Sequence, residues 1–127
     1  MIVADASAAL AALLNDGAAR QTLGAEQLHV PHLIDSEVAS GLRRHVLAGD
    51  LAADDGWTAL DAWHHLAVTR YGLTALLDRI WQLRGSLSAY DAGYVALAES
   101  LSCALVTADA RLSRAPGLRC VVTVVPR

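Results

Sequence analysis

The chain opens on an apolar, partly β-branched run, Met1 to Ala4, that stops at Asp5; helical composition follows from Ser7 to Leu14 and breaks at Asn15-Asp16-Gly17. The pattern predicts a strand and then a helix. Ala18 to Leu23 predicts a short second helix, Leu28 to Val30 a brief strand stopped by Pro31, and Leu33 to Leu47 a longer helix ended by Gly49. Within it Ile34, Val38, Leu42 and Val46 recur every four residues, which places them on one slowly drifting face. A further helix is predicted from Leu51 to His65.

Leu66 to Tyr71 is a β-branched candidate strand ended by Gly72, and Thr74 to Leu83 reads as helix up to Gly85. Ser88 to Leu101 predicts another helix, with Ser88 as its cap, and Cys103 to Thr107 a strand. A short turn at Ala110 to Ser113 and the Pro116-Gly117 break lead to Arg119 to Val125, whose Cys-Val-Val-Thr-Val-Val core is the strongest strand signal in the chain. Strands that alternate with helices predict a three-layer α/β/α fold around a central parallel sheet of about five strands. No linker, repeat or low-complexity stretch divides residues 1–127, so a single domain is expected.

Composition narrows the chemistry. All ten positive charges are Arg, because the 127 residues include no Lys, while the thirteen acids are ten Asp and three Glu. A phosphate-binding loop that places a Lys on terminal phosphates, a Schiff-base enzyme and a receiver-type phosphorylation site are therefore excluded. The net charge of −3 and pI near 5.9 rule out attachment to nucleic acid through bulk positive charge, so any such contact must be local. No stretch approaches the ~18 apolar residues of a membrane span, and the apolar start lacks a positive leader. A cytoplasmic protein is expected, with Cys103 and Cys120 as reduced core thiols rather than a disulfide or zinc framework. The 25 Ala residues make the helices small-faced and able to pack closely.

In a parallel sheet, ligands bind beyond the carboxyl ends of the strands. Asp5 closes the first strand in Val3-Ala4-Asp5-Ala6-Ser7, and Asp109 follows the fourth in Leu105-Val106-Thr107-Ala108-Asp109. Two more acids, Glu37 and Asp91, sit in predicted helices among small and apolar neighbours, where a carboxylate is costly unless paired. Clustered carboxylates persist together where a divalent cation holds them or one stays protonated. Hard oxygen ligands select Mg²⁺ or Mn²⁺ over zinc, and the adjacent His64-His65 pair is expected to point to different faces.

The four segments Val3-Ala4-Asp5-Ala6-Ser7, Asp35-Ser36-Glu37-Val38, Tyr90-Asp91-Ala92-Gly93-Tyr94 with its continuation to Glu99, and Thr107-Ala108-Asp109-Ala110-Arg111-Leu112 resemble those of the PIN domain, and within it the VapC-type ribonuclease toxins of bacterial toxin–antitoxin pairs. The resemblance implies that Asp5, Asp91 and Asp109 are metal ligands, directly or through water, and that Glu37 binds a second metal or orients the attacking water. It implies one or two Mg²⁺ or Mn²⁺ ions and hydrolysis of an RNA phosphodiester to a 5′-phosphate and a 3′-hydroxyl. The implied substrate is a single-stranded loop of a structured RNA, and the implied partners are a small VapB-type antitoxin and a second copy of the chain. Such a loop suits a recessed site, because its bases are unstacked.

Ser7 and Thr107 each lie two residues from a site aspartate and read either as supports for it or as a helix cap and a plain strand residue. Arg44 and Arg111 are candidate RNA-phosphate contacts, with a solvated or carboxylate-paired Arg as the alternative. Asp35, about 200° round the helix from Glu37, is expected to cap the helix start. Trp57, Trp63 and Trp81 are expected in core or interface packing, and Trp57, Leu60 and Trp63 suggest a helical surface covered by a partner. Two other classes compete: a PIN-like module that binds RNA or protein without cutting, and another metal-dependent phosphoesterase.

Overall fold

A computed structural model describes all 127 residues. The elements run β1 (Ile2–Ala4), α1 (Ala6–Leu14), α2 (Ala18–Gly24), β2 (Leu28–Pro31), α3 (Ile34–Ala48), α4 (Ala53–His65), β3 (Val68–Tyr71), α5 (Leu77–Gln82), α6 (Ala89–Ser100), β4 (Ala104–Thr107) and β5 (Val122–Val124). The five strands form one sheet in the order β3-β2-β1-β4-β5, and every neighbouring pair is parallel. Helices cover both faces, as the alternation predicts.

Alternation along β1 separates the two layers. Ile2 and Ala4 pack with Ala8, Ala11, Ala19, Leu23 and Leu28, the side of α1 and α2. Val3, pointing the other way, packs with Ile34, Val38, Trp63, Tyr94 and Val95. Residues Ala92 to Ala98 of α6 are all buried, so this helix has no polar face and no clear amphipathic period. Its Ala and Gly content lets it lie close against β1, β2 and β4.

The chain moves outward from β1 to β2 and β3, then returns to the far side of β1 as β4 and β5. The reversal between β1 and β4 leaves a crevice at their carboxyl ends, the standard ligand position in an open α/β sheet. Asp5 and Asp109 follow those two strands.

Several boundaries differ from expectation for identifiable reasons. The helix expected from Thr74 to Leu83 divides into a 3₁₀ turn, Thr74–Leu76, and the short α5, neither of which has a fully buried residue to stabilise a longer helix. Leu66 ends α4 in an extended conformation, so β3 starts at Val68. The strong apolar run at Arg119 to Val125 yields only a three-residue edge strand, because it has one neighbour, β4, and its partners there are Leu105 to Thr107. Ser88 caps α6 as expected, its Oγ accepting from the Asp91 N–H at 3.2 Å.

Asp35 is not a helix cap. α3 has no side-chain cap, and Asp35 instead accepts two hydrogen bonds from Arg70, at 2.8 and 2.9 Å, and one from Trp63 Nε1 at 2.8 Å. It thereby ties α3 to α4 and β3. Of the three tryptophans only Trp63 is in the core, at 2% exposure; Trp57 and Trp81 are 63% and 67% exposed. Cys103 and Cys120 are free and half-buried at the edge of the larger core cluster. No helix is long and apolar enough to cross a membrane.

Candidate active site

Asp5 stands at the join of β1 and α1, where it caps the helix: its Oδ1 accepts the Ala8 N–H at 2.9 Å. Ser7 Oγ donates to the same oxygen at 2.7 Å, and Thr107 Oγ1 donates to Oδ2. Both hydroxyls also accept from the backbone beyond β4, Ser7 from Ala108 N–H at 2.9 Å and Thr107 from Asp109 N–H at 3.0 Å. Ser7 is thus not the cap of α1, and the fully buried Thr107 is more than a strand residue. Together they join the ends of β1 and β4 and hold the Asp5 carboxylate in one orientation.

Glu37 lies in the first turn of α3, facing the same crevice, and Tyr94 Oη donates to its Oε1 at 2.7 Å. Burial pushes the Glu37 carboxyl up from its ordinary value of 4.5; the Tyr94 bond opposes this, and the charges of Asp91 and Asp5 add to it. The Tyr94 phenol, only 1% exposed, is pushed far above its own ordinary range by burial and by the Glu37 bond, so it remains a donor at any physiological pH.

Asp91 occupies the first turn of α6, and its carboxyl is raised by burial first and then by the charges of Asp5 and Asp109. Asp109 differs. Arg111 donates to its two oxygens at 3.2 and 3.1 Å, and this pairing holds Asp109 below its ordinary value.

The four acids line one cleft of about 750 Å³, together with Ser7, Tyr94, Arg44 and Arg127. Arg44 lies two turns along α3 from Glu37 on the same side of the cleft, close enough for its charge to oppose the rise of that carboxyl. Arg111 is outward and engaged with Asp109. Two cleft residues carry no signal that sequence reasoning used. Tyr94 lies three residues after Asp91 and so on the same helix face, which is the spacing that would have found it. Arg127 reaches the cleft from beyond β5, its Nε donating to the Ala108 carbonyl at 3.3 Å, and nothing local to it marks that position.

The raised carboxyls have a consequence for stability. Glu37 and Asp91 bind protons more readily folded than unfolded, so their charge opposes folding above their native pKa values, and the penalty is gone below 4.5 and 3.8. Asp35, Glu99 and Asp109 are lowered, so their contribution is present above their ordinary values and lost as pH falls through the native ones. Without divalent metal, stability in urea unfolding is expected to rise as pH falls through the raised native values of Glu37 and Asp91, and to drop as pH falls on through the lowered native values of Asp35, Glu99 and Asp109. A saturating divalent cation held by the deprotonated carboxylates of the folded state would reverse the first trend. A metal-free stability that only falls as pH is lowered toward 4.5 would contradict the burial and mutual repulsion of these carboxyls.

Residues 2–118 match the PIN domain. The chain belongs to the PIN-domain family. Within it the chain is of the VapC ribonuclease kind: it is 65% identical, over 127 residues and 100% of both chains, to Ribonuclease VapC9 of Mycobacterium tuberculosis. Among solved structures, PAE2754 of Pyrobaculum aerophilum superposes with a TM-score of 0.71 at 24% identity, over 95% of this chain and 81% of that one. VapBC2 of Rickettsia felis, crystallised with a DNA fragment from its promoter, gives 0.70 at 13% identity over 98% and 99% of the two chains. These two likenesses bear on the fold alone.

Proposed function

We propose that the protein is an endoribonuclease toxin that hydrolyses RNA phosphodiester bonds at the Asp5, Glu37, Asp91 and Asp109 cluster, with Mg²⁺ or Mn²⁺ as its ion. The carrying observation is that four acids converge on one cleft, where Glu37 and Asp91 are both raised, by burial first and then by their acidic neighbours. Carboxylates assembled against their own repulsion, with no thiolate among the cleft residues, make a donor set for a hard divalent cation.

Asp5, Asp91 and Asp109 would hold one ion, and Glu37 a second ion or the attacking water. When bound, the metal supplies an acidified water and neutralises charge on the scissile phosphate. The chain's own residues do the rest. Ser7 and Thr107 fix the Asp5 oxygens, and the Tyr94 hydroxyl fixes one oxygen of Glu37 and leaves the other to face the cleft. Arg44 and Arg127 present guanidinium groups to the flanking phosphates. Arg111, now paired with Asp109, would be available to phosphate were Asp109 to hold the metal.

The net negative charge does not oppose this reading. With four acids and the two cleft residues Arg44 and Arg127 assigned to the site, nine acids remain against eight Arg, so the surface beyond the cleft is close to neutral. A recessed site between α1, α3 and α6 suits an unstacked strand in a loop of a structured RNA and excludes a duplex. Exposed Trp57, Trp81, Leu47 and Leu77 are surface that a small VapB-type antitoxin or a second copy of the chain would cover. Action on cellular RNA places the protein in the cytoplasm.

Chain freed of any partner and incubated with total bacterial RNA is expected to cleave it with Mg²⁺ or Mn²⁺, to stop with chelator and to resume when metal is restored. Cleavage that survives the chelator would overturn the metal mechanism. Absence of cleavage with metal present would favour a module that binds without cutting.

A further inference from the structure

A second group of metal-ligating side chains lies at the end of α4, apart from the carboxylate cleft. Asp61, His64 and His65 each offer a ligand atom, and these atoms lie within 4.8 Å of one another. The sequence expectation that the adjacent imidazoles face apart does not hold: His65 is the last residue of α4, Leu66 is already extended, and the two rings stand 4.9 Å apart at 37°. Asp61 lies one turn before both, at i−3 and i−4, the two helical spacings that bring side chains together.

The imidazole orientation is informative. His65 Nδ1 lies 2.8 Å from the Asp61 carbonyl oxygen and 3.5 Å from its Oδ1. A backbone carbonyl oxygen only accepts, so Nδ1 carries the N–H and donates to it, which leaves Nε2 as the ligand atom. A ring that donates one nitrogen to a backbone carbonyl and presents the other is the arrangement found around metal-bound histidines. The end of a helix also presents partial negative charge, which favours a cation. Both His side chains are exposed and can close the remaining distance by rotation alone.

We infer that Asp61, His64 and His65 form a surface site for a borderline-soft divalent ion of the zinc type, separate from the Mg²⁺ or Mn²⁺ cleft. Two imidazoles and one carboxylate prefer Zn²⁺ to Mg²⁺, whereas the four carboxylates of the cleft have the opposite preference. The remaining coordination positions face solvent. The site also adjoins the link to the cleft: Trp63, two residues after Asp61, donates to Asp35 in the first turn of α3, which carries Glu37. A bound ion would fix the last turn of α4 and the start of that link.

The test is calorimetric titration of the full chain with Zn²⁺ in excess Mg²⁺, so that the cleft is already filled. Wild type and Asp91→Asn are both expected to bind one Zn²⁺ with the same affinity. His64→Ala combined with His65→Ala is expected to weaken binding by roughly tenfold or more, with an unchanged circular dichroism spectrum and unchanged Mg²⁺-dependent RNA cleavage. Asp61→Asn should weaken Zn²⁺ binding in the same direction. An isotherm unaltered by the double substitution, or one lost in Asp91→Asn instead, would overturn the site.

Discussion

Asp91→Asn is expected to lower RNA cleavage on the order of 10³-fold or more, a loss of about 4 kcal/mol of transition-state stabilisation, without loss of stability. The two effects separate because of how Asp91 is held. Ser88 is its one side-chain hydrogen-bond partner, and the helix cap, in which Ser88 Oγ accepts the Asp91 backbone N–H, is retained by the substitution. The amide keeps the shape and removes a charge that burial, Asp5 and Asp109 all disfavour. The metal-free variant should therefore unfold at a temperature no lower than wild type while it cleaves RNA at the limit of detection. Activity within about tenfold of wild type would remove Asp91 from the metal site. Asp5 is a less clean probe, because its carboxylate also caps α1 and joins β1 to β4.

Trp63→Ala is expected to cost about 3–5 kcal/mol, the largest stability loss from a single side chain in the molecule. Trp63 heads the fully buried side chains by volume, and α4 has only Gly56, Ala59 and Trp63 buried, so this ring is most of what anchors that helix. Against a typical total of about 5–15 kcal/mol, the loss leaves the variant marginal or unfolded. Trp63→Phe keeps most of the ring and deletes only the bond to Asp35, which retains both bonds from Arg70. It is expected to cost about 1–2 kcal/mol and to leave cleavage by the folded fraction within a few-fold of wild type. Urea unfolding measures both; a loss under about 1 kcal/mol for Trp63→Ala would mean that α4 is not held by this contact.

The four acids of the cleft were legible because each sits at a position with a rule attached. Asp5 and Asp109 follow parallel strands, and Glu37 and Asp91 are acids in the first turns of their helices with small or apolar residues beside them. Tyr94 was less legible, since a tyrosine on an Ala-rich helix reads as core, and it is core; its hydroxyl matters only because α3 delivers Glu37 from 57 residues away. Thr107 reached its role through Asp5, 102 residues distant. Asp35 was misread because a carboxylate at a helix start is commonly a cap, and only the packing of α4 and β3 reveals Trp63 and Arg70 as its partners. The strongest strand signal became the short edge strand β5, because ladder length is limited by the partner as well as by propensity.

By itself the sequence determined the order of strands and helices, the parallel sheet, the absence of lysine chemistry and the four acids, because periodicity, chain breakers and residue type act over a few neighbouring positions. Tertiary structure decided which groups meet: Tyr94 on Glu37, Ser7 and Thr107 on Asp5, Arg127 in the cleft, and the two imidazoles together at the end of α4. The physical reason is that these contacts depend on how helices pack on the sheet and on how a helix ends. Those outcomes minimise the free energy of the whole chain, and no local pattern encodes them.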